Sequence, residues 1–147
     1  MAMTMNGEVQ LAAPREVVWA KLNDAEVLKQ CIPGCEELNK TSETEFQAVA
    51  TIKIGPVKAR FKGRVQLSDI DPPNGYKISG EGDGGIAGFA KGGAVVVLTP
   101  KDGGTLLTYN VEAQIGGKLA QLGQRLINGV AKKLADDFFV KFAAAVK

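Results

Sequence analysis

Val57-Lys58-Ala59-Arg60-Phe61-Lys62-Gly63-Arg64-Val65 is the stretch that decides the fold. Every second residue is apolar or small (Val57, Ala59, Phe61, Gly63, Val65), and each residue between them is a cation (Lys58, Arg60, Lys62, Arg64). A period of two puts the first set on one face of a β-strand and the second on the other. One face therefore meets a core and the other meets water, as in an antiparallel sheet covered on one side.

The same period extends in both directions. Upstream, Phe46, Ala48, Ala50, Ile52 and Ile54 alternate with polar or smaller residues, and Gly55-Pro56 turns the chain into the quoted strand. Downstream, Asp71-Pro72-Pro73-Asn74-Gly75 is a turn and Tyr76 to Gly80 begins another strand. Ala94 to Thr99 forms the next, and Lys101-Asp102-Gly103-Gly104 turns again. Leu107, Tyr109, Val111, Ala113 and Ile115 then alternate with Thr108, Asn110, Glu112 and Gln114. Consecutive strands joined by short turns imply an antiparallel meander.

Helical signals flank this region. Glu8 to Ala12 reads as a short strand, and Pro14 then opens a helix carrying Val18, Trp19 and Leu22 on one face. Asn23 with Glu26 reads as the cap of a second short helix bearing Val27, Leu28 and Cys31, stopped by Pro33-Gly34. After Gly116-Gly117, Leu119, Leu122, Leu126, Val130, Leu134, Phe138 and Phe142 recur at spacings of three and four. Lys118 to Lys147 contains no proline, which predicts one helix of roughly 45 Å. Asp137 and Lys141 are expected to pair on its surface. The expected fold is α+β, in one domain over residues 1–147. A curved antiparallel sheet of about six to seven strands wraps a long C-terminal helix, with two short helices after the first strand.

Composition removes whole classes of function. The absence of histidine excludes Ser-His-Asp and Cys-His nucleophile systems and imidazole-ligated metals. A net charge of +2 gives no case for nucleic acid. Asp69 with Asp71, and Asp136 with Asp137, fall in a turn and on an exposed helix face, without the apolar enclosure that tunes an acid–base pair. No catalytic residue and no metal site is expected. Cys31 and Cys35 are too widely spaced for C-x-x-C; they read as small packing residues, with a reversible disulfide as the alternative. Gly80-Glu81-Gly82-Asp83-Gly84-Gly85 matches G-x-G-x-x-G in form, but a β pattern follows it and its two acids repel phosphate. It reads as a flexible loop and bulge continuing to Gly93, with Ile86, Phe89 and Ala90 as an apolar lip. No apolar run approaches the about 20 residues that span a bilayer, and Met1 to Gly7 lacks the features of a signal peptide. The expected location is the cytoplasm.

Small residues on the inward faces (Ala48, Ala50, Ala59, Gly63, Ala113), with Gly123 and Gly129 in the helical segment, admit two readings. They permit close helix–sheet packing, or they leave a cavity that a ligand fills.

The order of elements resembles the helix-grip fold of the START-like, polyketide-cyclase-like superfamily. More specifically, several segments resemble the carbon monoxide dehydrogenase G-subunit family: Met5-Asn6-Gly7-Glu8, Ala13 to Trp19, Leu28-Lys29-Gln30-Cys31-Ile32-Pro33-Gly34-Cys35-Glu36, Gly55-Pro56-Val57 and Gly116 to Gly123. The resemblance implies a cytosolic accessory protein of a CO-dehydrogenase-type molybdenum hydroxylase, attaching the enzyme to the membrane or linking it to the quinone pool. Superfamily members commonly hold lipids or other apolar molecules between sheet and helix. Some family members carry a membrane-anchored C-terminal extension; this sequence stops at Lys147, so peripheral contact at the inner face of the membrane is expected.

The resemblance turns the even choice toward a cavity. Its expected lining is Trp19, Phe46, Phe61, Phe89, Tyr109, Val111, Leu119, Leu122, Leu126, Ile127 and Val130, with the Tyr109 hydroxyl as the polar tip that orients a ligand. The ligand is an apolar small molecule, a lipid or an isoprenoid quinone, and no covalent cofactor is expected. Lys53, Lys58, Arg60, Lys62 and Arg64 form a basic stripe free of acids, either a solvated strand face or a docking surface for anionic lipid or an acidic protein. The alternatives are a polyketide cyclase-like or lipid-modifying enzyme, and an interaction module acting through the basic face.

Overall fold

In the computed structural model, which describes residues 1–147, the quoted stretch opens β4 (Val57–Asp71). Its cations are exposed, and Ala59 and Leu67 are buried on the opposite face. Around it lie β3 (Glu45–Ile54), β5 (Gly75–Asp83), β6 (Phe89–Lys101) and β7 (Gly104–Gly116). With β1 (Ala2–Leu11) and β2 (Cys35–Ser42) they form a seven-stranded antiparallel sheet of order β1-β7-β6-β5-β4-β3-β2. β1 and β2 are therefore opposite edges. The chain passes between them through α1 (Arg15–Leu22) and α2 (Ala25–Cys31), and α3 (Gln124–Ala145) is held by the sheet. This is the helix-grip arrangement.

Several local expectations change. The C-terminal segment is not one helix: Gly117–Leu122 is 3-10, and Gly123 breaks the chain at φ +94 before α3 begins. Glycine adopts that angle without a Cβ penalty. α3 has 22 residues, roughly 33 Å long. Spacings of three and four suit both helix types, so periodicity alone does not expose the break.

β1 starts six residues earlier than the Glu8 boundary. The glycine stretch is mostly strand: β5 runs through Asp83 and β6 begins at Phe89, leaving a turn over Gly84–Gly88. That turn is clamped rather than loose. A Cβ on Gly88 would overlap the Gly116 carbonyl oxygen, and one on Gly117 would lie 2.6 Å from Gly88 Cα, so only glycines permit the approach.

The cap of α2 is Asp24, whose carboxylate accepts from the Glu26 and Val27 amides at 3.0 and 3.4 Å. Asn23 instead donates to the Trp19 carbonyl at 2.9 Å. Asp137 pairs backward with Lys133 at 2.8 Å rather than with Lys141, and Asp136 with Lys132 at 2.6 Å. Both pairs are exposed and screened by solvent, so they contribute little to stability.

The apolar core forms two clusters. The larger joins α1, α2 and the end of α3 to the sheet through Leu11, Val18, Leu22, Cys31, Leu38, Leu98, Leu107 and Phe142. The smaller, at the opposite end, comprises Met3, Ile54, Ile115, Leu119 and Ile127. Ile127 and Phe142 anchor α3 at its two ends.

Candidate functional site

Between the clusters the inner face of the sheet is floored by residues with little or no side chain. Residues directly opposite across an antiparallel ladder share a face. One row runs Ala48, Gly63, Gly82, Ala90 and Ile115; the next runs Phe46, Val65, Gly80, Gly92, Ala113 and Met3. A third contains Leu67, Ile78, Ala94, Val111 and Met5. Glycine and alanine thus form one patch across β3 to β7, and every one of these small residues is only half-buried although it faces the helix.

Above the patch, α3 has no fully buried residue between Ile127 and Phe142. Val130, Ala131, Leu134, Phe138 and Phe139 are all half-buried. Both ends of the helix are sealed and its middle is not. An unfilled space costs about 24 cal/mol per Å³, so ~100 Å³ left empty costs ~2.4 kcal/mol. An apolar occupant removes that penalty.

The unsealed middle opens sideways. A cleft of about 700 Å³ lies between β1 and α3, lined by Met3, Met5, Gly7 and Val9, by Tyr109 of β7, and by Ala131, Phe139, Val140 and Ala143. Tyr109 lies against Gly7, where a Cβ would overlap its hydroxyl oxygen. Its ring stacks on Phe139 at 5.2 Å between centroids. Phe139 meets Phe138 edge-on at 5.0 Å, and Phe138 stacks on Phe142 at 5.6 Å, so an aromatic ladder runs from the cleft into the larger cluster. The polar rim is Asn128, Lys132 and Asp136 on the α3 side and Thr4, Asn6 and Glu8 on the β1 side.

A second hollow, of about 820 Å³, lies on the outer face and is walled chiefly by charged and polar groups, among them Glu37, Lys62, Arg64, Glu81, Asp83 and Lys91. That lining does not suit an apolar ligand. No three or more His, Cys, Asp or Glu side chains converge in a geometry that could hold a metal ion. The buried Thr105 hydroxyl donates to the Ala13 carbonyl at 2.7 Å and is committed there. The floor rows are apolar, and Tyr109 is the aromatic polar group at their edge.

The family profile of the carbon monoxide dehydrogenase G subunit (CoxG) matches residues 7–147. The chain belongs to the CoxG family. The crystal structure of a conserved protein from Geobacillus kaustophilus is 39% identical to this CoxG-family chain, with a TM-score of 0.91 over 98% of this chain and 95% of that one. Two more distant structures share the fold: the Zhui aromatase/cyclase from Streptomyces sp. R1128 (12% identity, TM-score 0.73, 99% and 94% covered), and TTHA0849 from Thermus thermophilus (16%, 0.73, 98% and 97%). No match was found among curated proteins.

In this CoxG-family chain the residues expected to line one cavity separate into groups. Tyr109 lines the lateral cleft. Val111, Phe61, Leu122, Leu126 and Val130 are half-buried around the smaller cluster. Phe46, Leu119 and Ile127 are at most 5% exposed and lie inside the packed clusters, where they seal the ends instead of lining open space. Trp19 packs on Tyr76 at 5.2 Å between rings, within the larger cluster; burial there pushes the Tyr76 phenol well above its usual range.

Phe89 is a correction. It stands opposite Asp83 and Gly116 on the outer face and is 48% exposed, its ring lying over Gly116. The glycine-rich run before it hides the register, and a shift of one residue reverses the face.

The basic stripe is not free of acids. Arg60 Nε donates to Glu36 at 3.1 Å, and Arg64 lies 3.9 Å from Glu45 and 3.6 Å from Glu81. The Thr51 hydroxyl, donating at 2.8 Å, and then Arg60 hold the Glu36 carboxyl below its ordinary range. Lys53, Lys58 and Lys62 have no such partner.

Met3 and Met5 of the cleft are missed because the expected first strand begins at Glu8, after both of them; Val9 lies inside that strand but is not among the expected lining residues. Their alternation with Thr4, Asn6 and Glu8 is the available signal.

Proposed function

We propose that this chain is a non-catalytic accessory protein that holds an apolar small molecule, a lipid or an isoprenoid quinone, between its sheet and α3. In this reading it works in the cytoplasm with a CO-dehydrogenase-type molybdenum hydroxylase, bringing the enzyme to the membrane or coupling it to the quinone pool. One observation carries the ligand reading: α3 is sealed at Ile127 and Phe142 but unsealed above the Gly/Ala patch. The family's name supports the choice of partner. An apolar tail burying about 300 Å² gains roughly 7 kcal/mol before the costs of association.

Native mass spectrometry of the purified protein, followed by organic extraction, tests the reading. The expected result is a bound apolar species, or uptake of an added quinone at one equivalent. A protein that stays empty and takes up neither lipid nor quinone contradicts it, and turnover of an aromatic polyketide would replace it with the cyclase reading.

A further inference from the structure

Three segments meet at one end of the molecule: the β3–β4 hairpin with its flanks (residues 49–63), the β5–β6 turn (83–90) and the entry to α3 (116–125). They carry Lys53, Lys58, Arg60, Lys62, Lys118 and Arg125 against a single acid, Asp83. The whole chain is only +2, so the rest of the molecule is net negative. Asp83 is turned to the backbone, accepting from the Gly85 amide at 2.8 Å, and Glu36 of the neighbouring β2 is occupied by Thr51 and Arg60. Lys53, Lys58, Lys62, Lys118 and Arg125 have no acid within 4.0 Å. Lys53 and Lys58 even stand directly opposite each other in the ladder, a like-charge pairing that works against the fold.

From the clamped turn at this end Ile86 projects with 88% of its surface exposed, beside the half-exposed Phe89; the hollow they border also carries Glu37, Glu81 and Asp83 next to Lys62, Arg64 and Lys91. A stable protein interface needs about 800 Å² of complementary surface on each partner. One protruding isoleucine beside a half-exposed phenylalanine does not provide that. A bilayer accepts both an isolated apolar side chain and diffuse positive charge.

We infer that this end is a docking surface for an anionic lipid bilayer, with Ile86 as the inserting residue and Phe89 beside it at the headgroup level. The inference extends the accessory reading above, yet its test requires no bound ligand. Each cation facing the surface strengthens binding by about fivefold.

Co-sedimentation of the full chain with vesicles measures it. Vesicles of phosphatidylcholine with one quarter phosphatidylglycerol are expected to bind at least tenfold more tightly than phosphatidylcholine alone, and 0.5 M salt should abolish the difference. Lys53→Glu with Lys58→Glu should weaken binding at least tenfold. Ile86→Asp should do so with an unchanged circular dichroism spectrum. Ile86→Trp should show blue-shifted emission on the anionic vesicles, quenched by brominated acyl chains. Equal binding to neutral vesicles, indifference to Ile86→Asp, or an unshifted Ile86→Trp spectrum overturns the inference. Capture of the hydroxylase by this surface without any vesicle binding also overturns it, assigning the surface to a protein. Uptake of a short-chain quinone in vesicle-free buffer is scored separately: quinone uptake without vesicle binding sinks only the docking inference, and the converse sinks only the ligand reading.

Discussion

Filling the floor beneath α3 should stabilise the protein while displacing the proposed ligand. Gly82 is the residue to change. It faces inward between Gly63 and Ala90, and a Cβ built there meets only Phe61, at 3.8 and 3.9 Å, an ordinary contact distance. A leucine side chain at Gly82 gains about 1.5–3 kcal/mol on full burial. It loses about 0.5–1 kcal/mol of rotamer entropy, and replacing glycine recovers about 0.4–1 kcal/mol from the unfolded chain. Because the site is half-buried, the net gain for Gly82→Leu is about 1–2 kcal/mol, which raises Tm by roughly 2–6 °C at this length. Ligand uptake should fall at least tenfold. Thermal unfolding followed by circular dichroism, with native mass spectrometry on the same sample, reads both quantities. A floor already packed against α3 predicts the opposite, a loss of about 1–3 kcal/mol from overpacking. A lowered Tm would therefore show a floor with no room to fill.

Thr105→Val should cost about 1–3 kcal/mol in urea unfolding with an unchanged m-value, because the Ala13 carbonyl loses its buried donor. Glu36 titrates below its ordinary range in the folded state, so its contribution is fully present above the unfolded pKa of about 4.3 and disappears as pH falls through the depressed value. Glu36→Gln should therefore flatten the acid limb of the stability profile, by less in 1 M salt. Burial raises both thiols, and neither cysteine is in a disulfide. At pH 7.5 both should react with iodoacetamide more slowly than free cysteine, Cys35 ahead of the fully buried Cys31, as peptide mapping can report.

The sheet is legible because binary alternation is strong wherever one face is wet. Lys58, Arg60, Lys62 and Arg64 announce β4 without any structure, and β4 in turn sets the antiparallel meander. Where glycine replaces the alternating side chains the signal vanishes. That is why the Gly80–Gly93 region reads as loop and Phe89 falls on the wrong face. The end of α3 nearest the 3-10 segment fails for a different reason: Leu119, Leu122 and Leu126 keep their spacing across the break, and only the backbone angle at Gly123 records it. Of the site, the small inward residues are visible as composition, but their convergence into one patch depends on ladder register across five strands. The separation of sealed from unsealed residues is not readable from type alone, since Phe46 and Tyr109 are both inward-facing aromatics yet one is 3% exposed and the other borders a cleft.

What remains to be seen directly is an apolar molecule between the Gly/Ala patch and the middle of α3. Methyl-resolved NMR with an isoprenoid quinone added to the labelled protein tests it most directly. Intermolecular NOEs are expected from the isoprenoid tail to Met5, Ala94, Val111 and Val130, with the resonances of Val95 and Val97 on the outer face unmoved. NOEs absent from the inner face, or shifts confined to the outer face, would contradict it.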